Sequence, residues 1–298
     1  MRIARRLATV PLVLVAVTLA TFALAHAVPG DAATANASVR GATPEALAAF
    51  RAEYGLDRPL PAQYLSWLWR SARLDFGTSL GDGQDVRLKI RRALPVTLEL
   101  ASLATLLAFA LALPLGIGLG MADRSRFTPI VAGGLHLVYA LPGAAVALAV
   151  LAAGAPYGGS PGALVAGAAC LALPELARLA RYQRSAVLVE LGADYVLAAR
   201  ARGAGPRGVA LHVTRNALLP MVTLLGAELP ALLSASVIVE QVFGLHGIGF
   251  LAFDAVLKRD YPLLLGLATV GALVTLACVL LADLAYELCD PRLRGRAA

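Results

Sequence analysis

Six stretches of this sequence run for about twenty residues with little charge: Leu7–Val28, Thr97–Ala122, Thr128–Ala153, Gly162–Ala180, Pro220–Val239 and Pro262–Tyr286. A helix of about twenty residues rises about 30 Å, the thickness of a bilayer's hydrocarbon core. No water is present there to satisfy backbone N–H and C=O groups, so such runs must be helical. The chain therefore reads as all-α and polytopic, with about six transmembrane helices. Of its 298 residues, 59% are hydrophobic and 15% charged. A soluble domain carries about 45–50% and 25%. The usual domain count from length does not apply.

The first run follows Arg2, Arg5 and Arg6. It competes with a signal-peptide reading, and Ala25-His26-Ala27 resembles a cleavage site. A signal core is about 7–15 residues, shorter than this run, which favours a retained helix. Residues 29–95 are polar and mixed in charge. Within them Thr43 can cap a helix that has Pro44 and Glu45 in its first turn and Gly55 as its stop. A second amphipathic piece, Ala62–Arg73, carries Tyr64, Trp67 and Trp69. It fits either a membrane interface or a small folded cap. Pro142-Gly143 and the Pro156–Pro161 stretch interrupt the third and fourth runs.

Basic residues set the orientation. With the amino terminus inside, fifteen fall on inner segments: Arg2, Arg5, Arg6, Arg124, Arg126, Arg178, Arg181, Arg184, Arg200, Arg202, Arg207, Arg215, Arg292, Arg294 and Arg296. The short outer loops hold Lys258 and Arg259 alone. Both termini are expected in the cytoplasm, and Arg91 and Arg92 fit this arrangement least well. The net charge of +7 is thus accounted for without nucleic acid. Cys170, Cys278 and Cys289 show no metal or disulfide spacing, and His26 and His136 are isolated, so no metal site is expected. Gly116-Ile117-Gly118-Leu119-Gly120 lies within an apolar run, with Asp123 where a dinucleotide fingerprint needs glycine. Close helix packing through Gly116 and Gly120 is the better reading. No phosphate-loop signature for ATP occurs. Around Ser79 no base and orienting acid are spaced for hydrolysis.

The most patterned polar segment is 181–219. Asp194–Arg202 reads as a short helix, Gly203-Ala204-Gly205-Pro206 as a sharp break, and Arg207–Leu218 as a second helix. Two short helices around a tight turn make a rigid knob on the cytoplasmic face, suited to receiving force from a soluble partner. Tyr195-Val196, Ala199-Arg200-Ala201-Arg202-Gly203 and Asn216-Ala217-Leu218-Leu219-Pro220 resemble the ATPase-docking loop of ABC importer permeases of the dipeptide/oligopeptide/nickel branch. Asp194 and Arg202 stand where Glu and Lys are commoner. Further motifs follow in the family's order. They are Pro29-Gly30-Asp31, Gly55-Leu56-Asp57, Asp75-Phe76-Gly77-Thr78-Ser79, Thr97-Leu98-Glu99-Leu100, Glu240 with Phe243, Gly247 and Gly249, Arg259-Asp260-Tyr261-Pro262 and Asp290-Pro291-Arg292. The long first outer segment is that of the B-type subunit.

The resemblance implies a type I ABC importer permease in a bacterial or archaeal inner membrane. Residues 1–28 would be the first span, 29–95 an extracytoplasmic loop, 96–288 the core permease with its coupling loop at 181–219, and 289–298 a cytoplasmic tail. It implies a C-type permease partner, two ATPase subunits that bind ATP and Mg, and an extracytoplasmic binding protein. This chain itself would bind no cofactor and catalyse no reaction. The coupling residues would be Asp194, Tyr195, Ala198, Ala199, Arg200, Ala201, Arg202, Gly203, Asn216 and Pro220. The outer-loop residues would be Glu240, Phe243, Gly247, Arg259 and Asp260. Relatives carry dipeptides, longer peptides, nickel chelates or glycosides. His246 replaces a family proline, so the outer loop is expected to turn differently. Glu228 lies deep in the fifth run, where an amide is common. A carboxylate there either faces the pathway and favours cationic groups or pairs with an arginine or a polar residue of a neighbouring helix. The competing class is an ion-gradient transporter, which calls for paired broken helices and midplane charges.

Overall fold

The computed structural model describes residues 2–27, 33 and 43–289. Pro29-Gly30-Asp31, Asp290-Pro291-Arg292 and the 289–298 tail beyond its first residue lie outside the described residues. Twelve helices are described: α1 (Arg2–Ala27), α2 (Pro44–Tyr54), α3 (Leu60–Ser71), α4 (Val86–Met121), α5 (Thr128–Ala140), α6 (Gly143–Ala152), α7 (Pro161–Leu191), α8 (Asp194–Ala201), α9 (Pro206–Ala217), α10 (Leu219–Phe243), α11 (Ile248–Lys258) and α12 (Tyr261–Cys289). Among the described residues the only bridge pairing is the isolated contact of Thr78 with Asp85.

Local chemistry places most helix ends. Thr43 Oγ1 accepts the Ala46 N–H at 3.3 Å, and Gly55 closes α2 at φ +65°. Ser160 Oγ accepts the Ala163 N–H at 3.2 Å and starts α7. Asp85 does the same for α4, accepting the Arg87 N–H at 2.7 Å. As a result α4 starts well ahead of the apolar run at Thr97, and Arg91 and Arg92 ride on the helix rather than in a loop. At Pro142, α5 and α6 turn by 91°. α10 continues through Val239 to Phe243, where Gly244 stops it at φ +65°.

Among the described residues, four helices are long and apolar enough to cross a membrane, and the count reaches six if each broken helix pair is one span. The chain is thus all-helical and polytopic. It divides into two compact units, Met1–Thr97 with His246–Ala277, and Leu98–Leu245 with Cys278–Ala298. In the first unit Phe22, Tyr64, Trp67, Phe76, Val86 and Leu263 share a buried core. In the second unit α7 is the hub and touches α5, α6, α9 and α10. Here α4 approaches α7 at two glycines. A Cβ on Gly116 would sit 2.5 Å from the Ala180 carbonyl oxygen, and one on Gly120 would sit 2.6 Å from Val187. The glycine-rich stretch is a helix-packing surface, as expected for small residues between membrane helices.

Candidate functional site

The knob belongs to the second unit. Asp194 stands in the first turn of α8, where a carboxylate meets the positive helix end. The helix closes in a Schellman turn. The Gly203 N–H donates to Arg200 O at 2.9 Å, and the Ala204 N–H donates to Ala199 O at 3.0 Å. That turn needs a left-handed residue at Gly203, whose φ is +83°. Gly205 then precedes Pro206 at the first turn of α9. One face of the pair is anchored, with Val196, Val209, Val213 and Ala217 buried against Val187. Tyr195 ties it further by donating its hydroxyl to Glu190 at 2.6 Å. Burial, and then the Glu190 bond, push the phenol above its ordinary range, while a bond with Asn216 opposes them. The other face is open: Asp194, Ala198, Arg200, Ala201, Arg202 and Gly203 are exposed, together with Leu197 and Leu211 at 60% and 71%. Pro220 lies in the first turn of α10, directly after the knob.

Glu228 sits on α10 in the same unit, with its side chain 5% exposed. Its Oε1 accepts from the Arg178 guanidinium on α7, and Arg178 Nε donates to Glu175 at 2.8 Å. Glu228 Oε2 has no hydrogen-bond partner among the described residues. The Arg178 partnership is one of the two arrangements the sequence left open. The resulting triad carries two carboxylates against one guanidinium.

The outer-loop residues are distributed differently from their order along the chain. Glu240 and Phe243 are fully buried on α10, where Ser236 Oγ donates to Glu240 at 3.0 Å. They are helix residues, because the helix runs past the apolar stretch to its glycine stop. Gly247 precedes α11, and the following Ile248 N–H donates to Thr97 Oγ1 at 2.7 Å. The exposed His246 lies with its ring 4.7 Å from Phe250. Arg259 adopts φ +51°, and Asp260 behind it is 1% exposed. Asp260 Oδ2 accepts from Ser79 Oγ, and Oδ1 accepts the Leu263 N–H at 3.2 Å. Lys89 Nζ donates to Ser79 Oγ at 3.2 Å and pairs with Asp82 at 2.8 Å. The Asp75–Ser79 and Arg259–Pro262 motifs, 181 residues apart at Ser79 and Asp260, thus meet in one polar cluster. Sequence spacing gave no sign of this, although each motif alone was visible. Ser79 is completely buried, which makes the cluster a staple rather than a reactive site.

Long apolar helices carrying an anchored but exposed helix–turn–helix define a polytopic membrane protein. The family model of binding-protein-dependent transport system inner membrane components matches residues 112–295, and the model of its N-terminal region matches residues 1–101. The chain is 32% identical over 313 residues to the oligopeptide transport system permease protein AppB of Bacillus subtilis, covering 98% of each. It is 31% identical over 334 residues to the dipeptide transport system permease protein DppB of Escherichia coli, covering 99% of this chain and 98% of that one. The chain belongs to the family of binding-protein-dependent transport system inner membrane components, and it is a multi-pass permease subunit of an ABC importer.

Proposed function

We propose that this chain forms half of a peptide-translocation pathway and receives the ATP-driven stroke through α8 and α9. The observation that carries this reading is the knob itself: a Schellman-closed turn at Gly203, anchored by Val196 and Val213, with Leu197 and Leu211 left exposed. Anchored on one side and exposed on the other, it can pass displacement of a partner into α7 and α10. ATP binding to that partner then biases two states of the permease. On this reading a C-type permease supplies the other half-pathway. Two ATPase subunits bind ATP and Mg, and an extracytoplasmic binding protein delivers substrate. This chain binds no cofactor and hydrolyses no ATP. The termini and the knob are cytoplasmic, and residues 29–95 are extracytoplasmic. Peptide is the substrate class carried by the relatives' names.

The test is co-expression with a partner ATPase and binding protein. Leu197→Glu with Leu211→Glu should leave the permease folded but abolish peptide-stimulated ATP hydrolysis. If stimulated hydrolysis is unchanged in this double variant, the docking assignment is wrong.

A further inference from the structure

Helix α3 has apolar residues on both sides. Tyr64 and Trp67 are buried in the first unit, while Leu60, Leu65 and Trp69 are 47%, 62% and 64% exposed. The Arg73 guanidinium lies 4.6 Å above the Trp69 ring. An exposed Leu/Trp face edged by arginine is the pattern of a helix lying in a membrane interface. Beside it is a groove of about 570 Å³ between the end of span α1 and the start of α3, lined by Leu19, Phe22, Ala23, Pro61 and Leu65 among others. The polar groups that line it are already engaged. The His26 ring contacts Phe22 O at 2.9 Å, and the Tyr64 hydroxyl lies 3.0 Å from Thr18 Oγ1.

Phe22 is also a wall of a second cavity, of about 490 Å³, with a different lining. Arg58, Arg70, Glu53, Tyr54, Trp67 and Tyr261 face it. The charged residues among its lining sum to +1, from two arginines and one glutamate. No carboxylate of the described residues pairs with Arg58 or Arg70. Trp67 is 4% exposed, and its indole Nε1 has no hydrogen-bond partner among the described residues.

We propose that the first unit binds an anionic phospholipid, with an acyl chain in the α1–α3 groove and the phosphate in the cavity beyond Phe22, held by Arg58 and Arg70. A soluble anion would use the charged cavity and leave the groove empty. A neutral amphiphile would use the groove and leave the arginines unmatched. Only an anionic head joined to an apolar chain uses both.

The permease, purified with its co-expressed partner subunits and stripped of lipid, would be titrated with phosphatidylglycerol or phosphatidylcholine of identical chains and read by native mass spectrometry. Phosphatidylglycerol should be retained about tenfold more strongly, the scale of one or two charge-assisted hydrogen bonds. Arg58→Gln with Arg70→Gln should erase that preference, and Arg58→Lys with Arg70→Lys should keep most of it. Ala23→Trp, which fills the groove, should weaken retention of both lipids. Equal retention of the two lipids by the wild type overturns the proposal, and this comparison requires no variant to fold. So does a preference that survives the glutamine pair. Competition by millimolar inorganic phosphate, with no effect of Ala23→Trp, would identify a small-anion site and also overturn it. Displacement of phosphatidylglycerol by a tripeptide would do the same in favour of a peptide site.

Discussion

Two polar clusters mark where single side chains matter most. Arg178 serves both Glu175 and Glu228, and Glu228 is nearly sealed from solvent. Arg178→Met strands a buried carboxylate and should cost about 3–5 kcal/mol. Glu228→Gln leaves Arg178 paired with Glu175 and should cost about 1–2 kcal/mol. Thermal unfolding of the detergent-purified proteins measures both, and the double variant should lose less than the sum. Asp260→Asn turns an amide N–H₂ toward the donors Ser79 Oγ and Gly81 N, so a loss of about 1–3 kcal/mol is expected in the same assay. Asp82 adds a pH dependence. Burial raises its pKa, but bonds from Lys89, the Gln84 N–H and Ser79, with the Lys89 charge, outweigh this and set it below the ordinary 3.8. Its contribution is therefore complete above about pH 4. It is lost as the pH falls through the lowered value. Lys89→Met should flatten that acid limb of the stability profile.

Among the helices, the α4–α7 contact gives a comparison with its own control. Gly116→Ala forces a methyl against the Ala180 carbonyl oxygen, which is backbone and cannot rotate aside. Gly118→Ala, one residue pair along the same helix, meets nothing within 4 Å. The first should lower stability by about 1–3 kcal/mol. The second should be neutral or gain about 0.5–1 kcal/mol. Equal effects on melting temperature would show that α4 does not pack on α7 at Gly116. Many element boundaries were legible because their chemistry is local. Thr43, Gly55 and Gly203 act within four residues of themselves, and the structure uses each as its sequence context suggests. The start of α4 was missed by the apolar criterion, which responds first at Thr97. The signal lay in Asp85, a helix-starting acid ahead of a charged turn.

For the molecule as a whole, orientation is the property to measure. With the knob cytoplasmic and residues 29–95 outside, a single cysteine at Arg202 should react with a membrane-impermeant maleimide only in inverted vesicles. One at Asp57 should react only in intact spheroplasts. The reverse pattern would place the knob on the wrong side for any ATPase.

Length and charge, properties of consecutive residues, were enough to read an all-helical polytopic chain and the helix–turn–helix at 194–217. They suffice because lipid forces each apolar run to satisfy its own backbone. Contacts across the sequence follow a different rule. Ser79 meets Asp260 and Arg178 meets Glu228 because folded helices bring distant turns together, and no spacing along the chain encodes which turns those will be. The apolar groove beside Leu65 and the arginine-lined cavity beyond Phe22 likewise exist only once α1 and α3 are packed. The permease class was thus readable from the run of residues, while the partners of its buried charges required the fold.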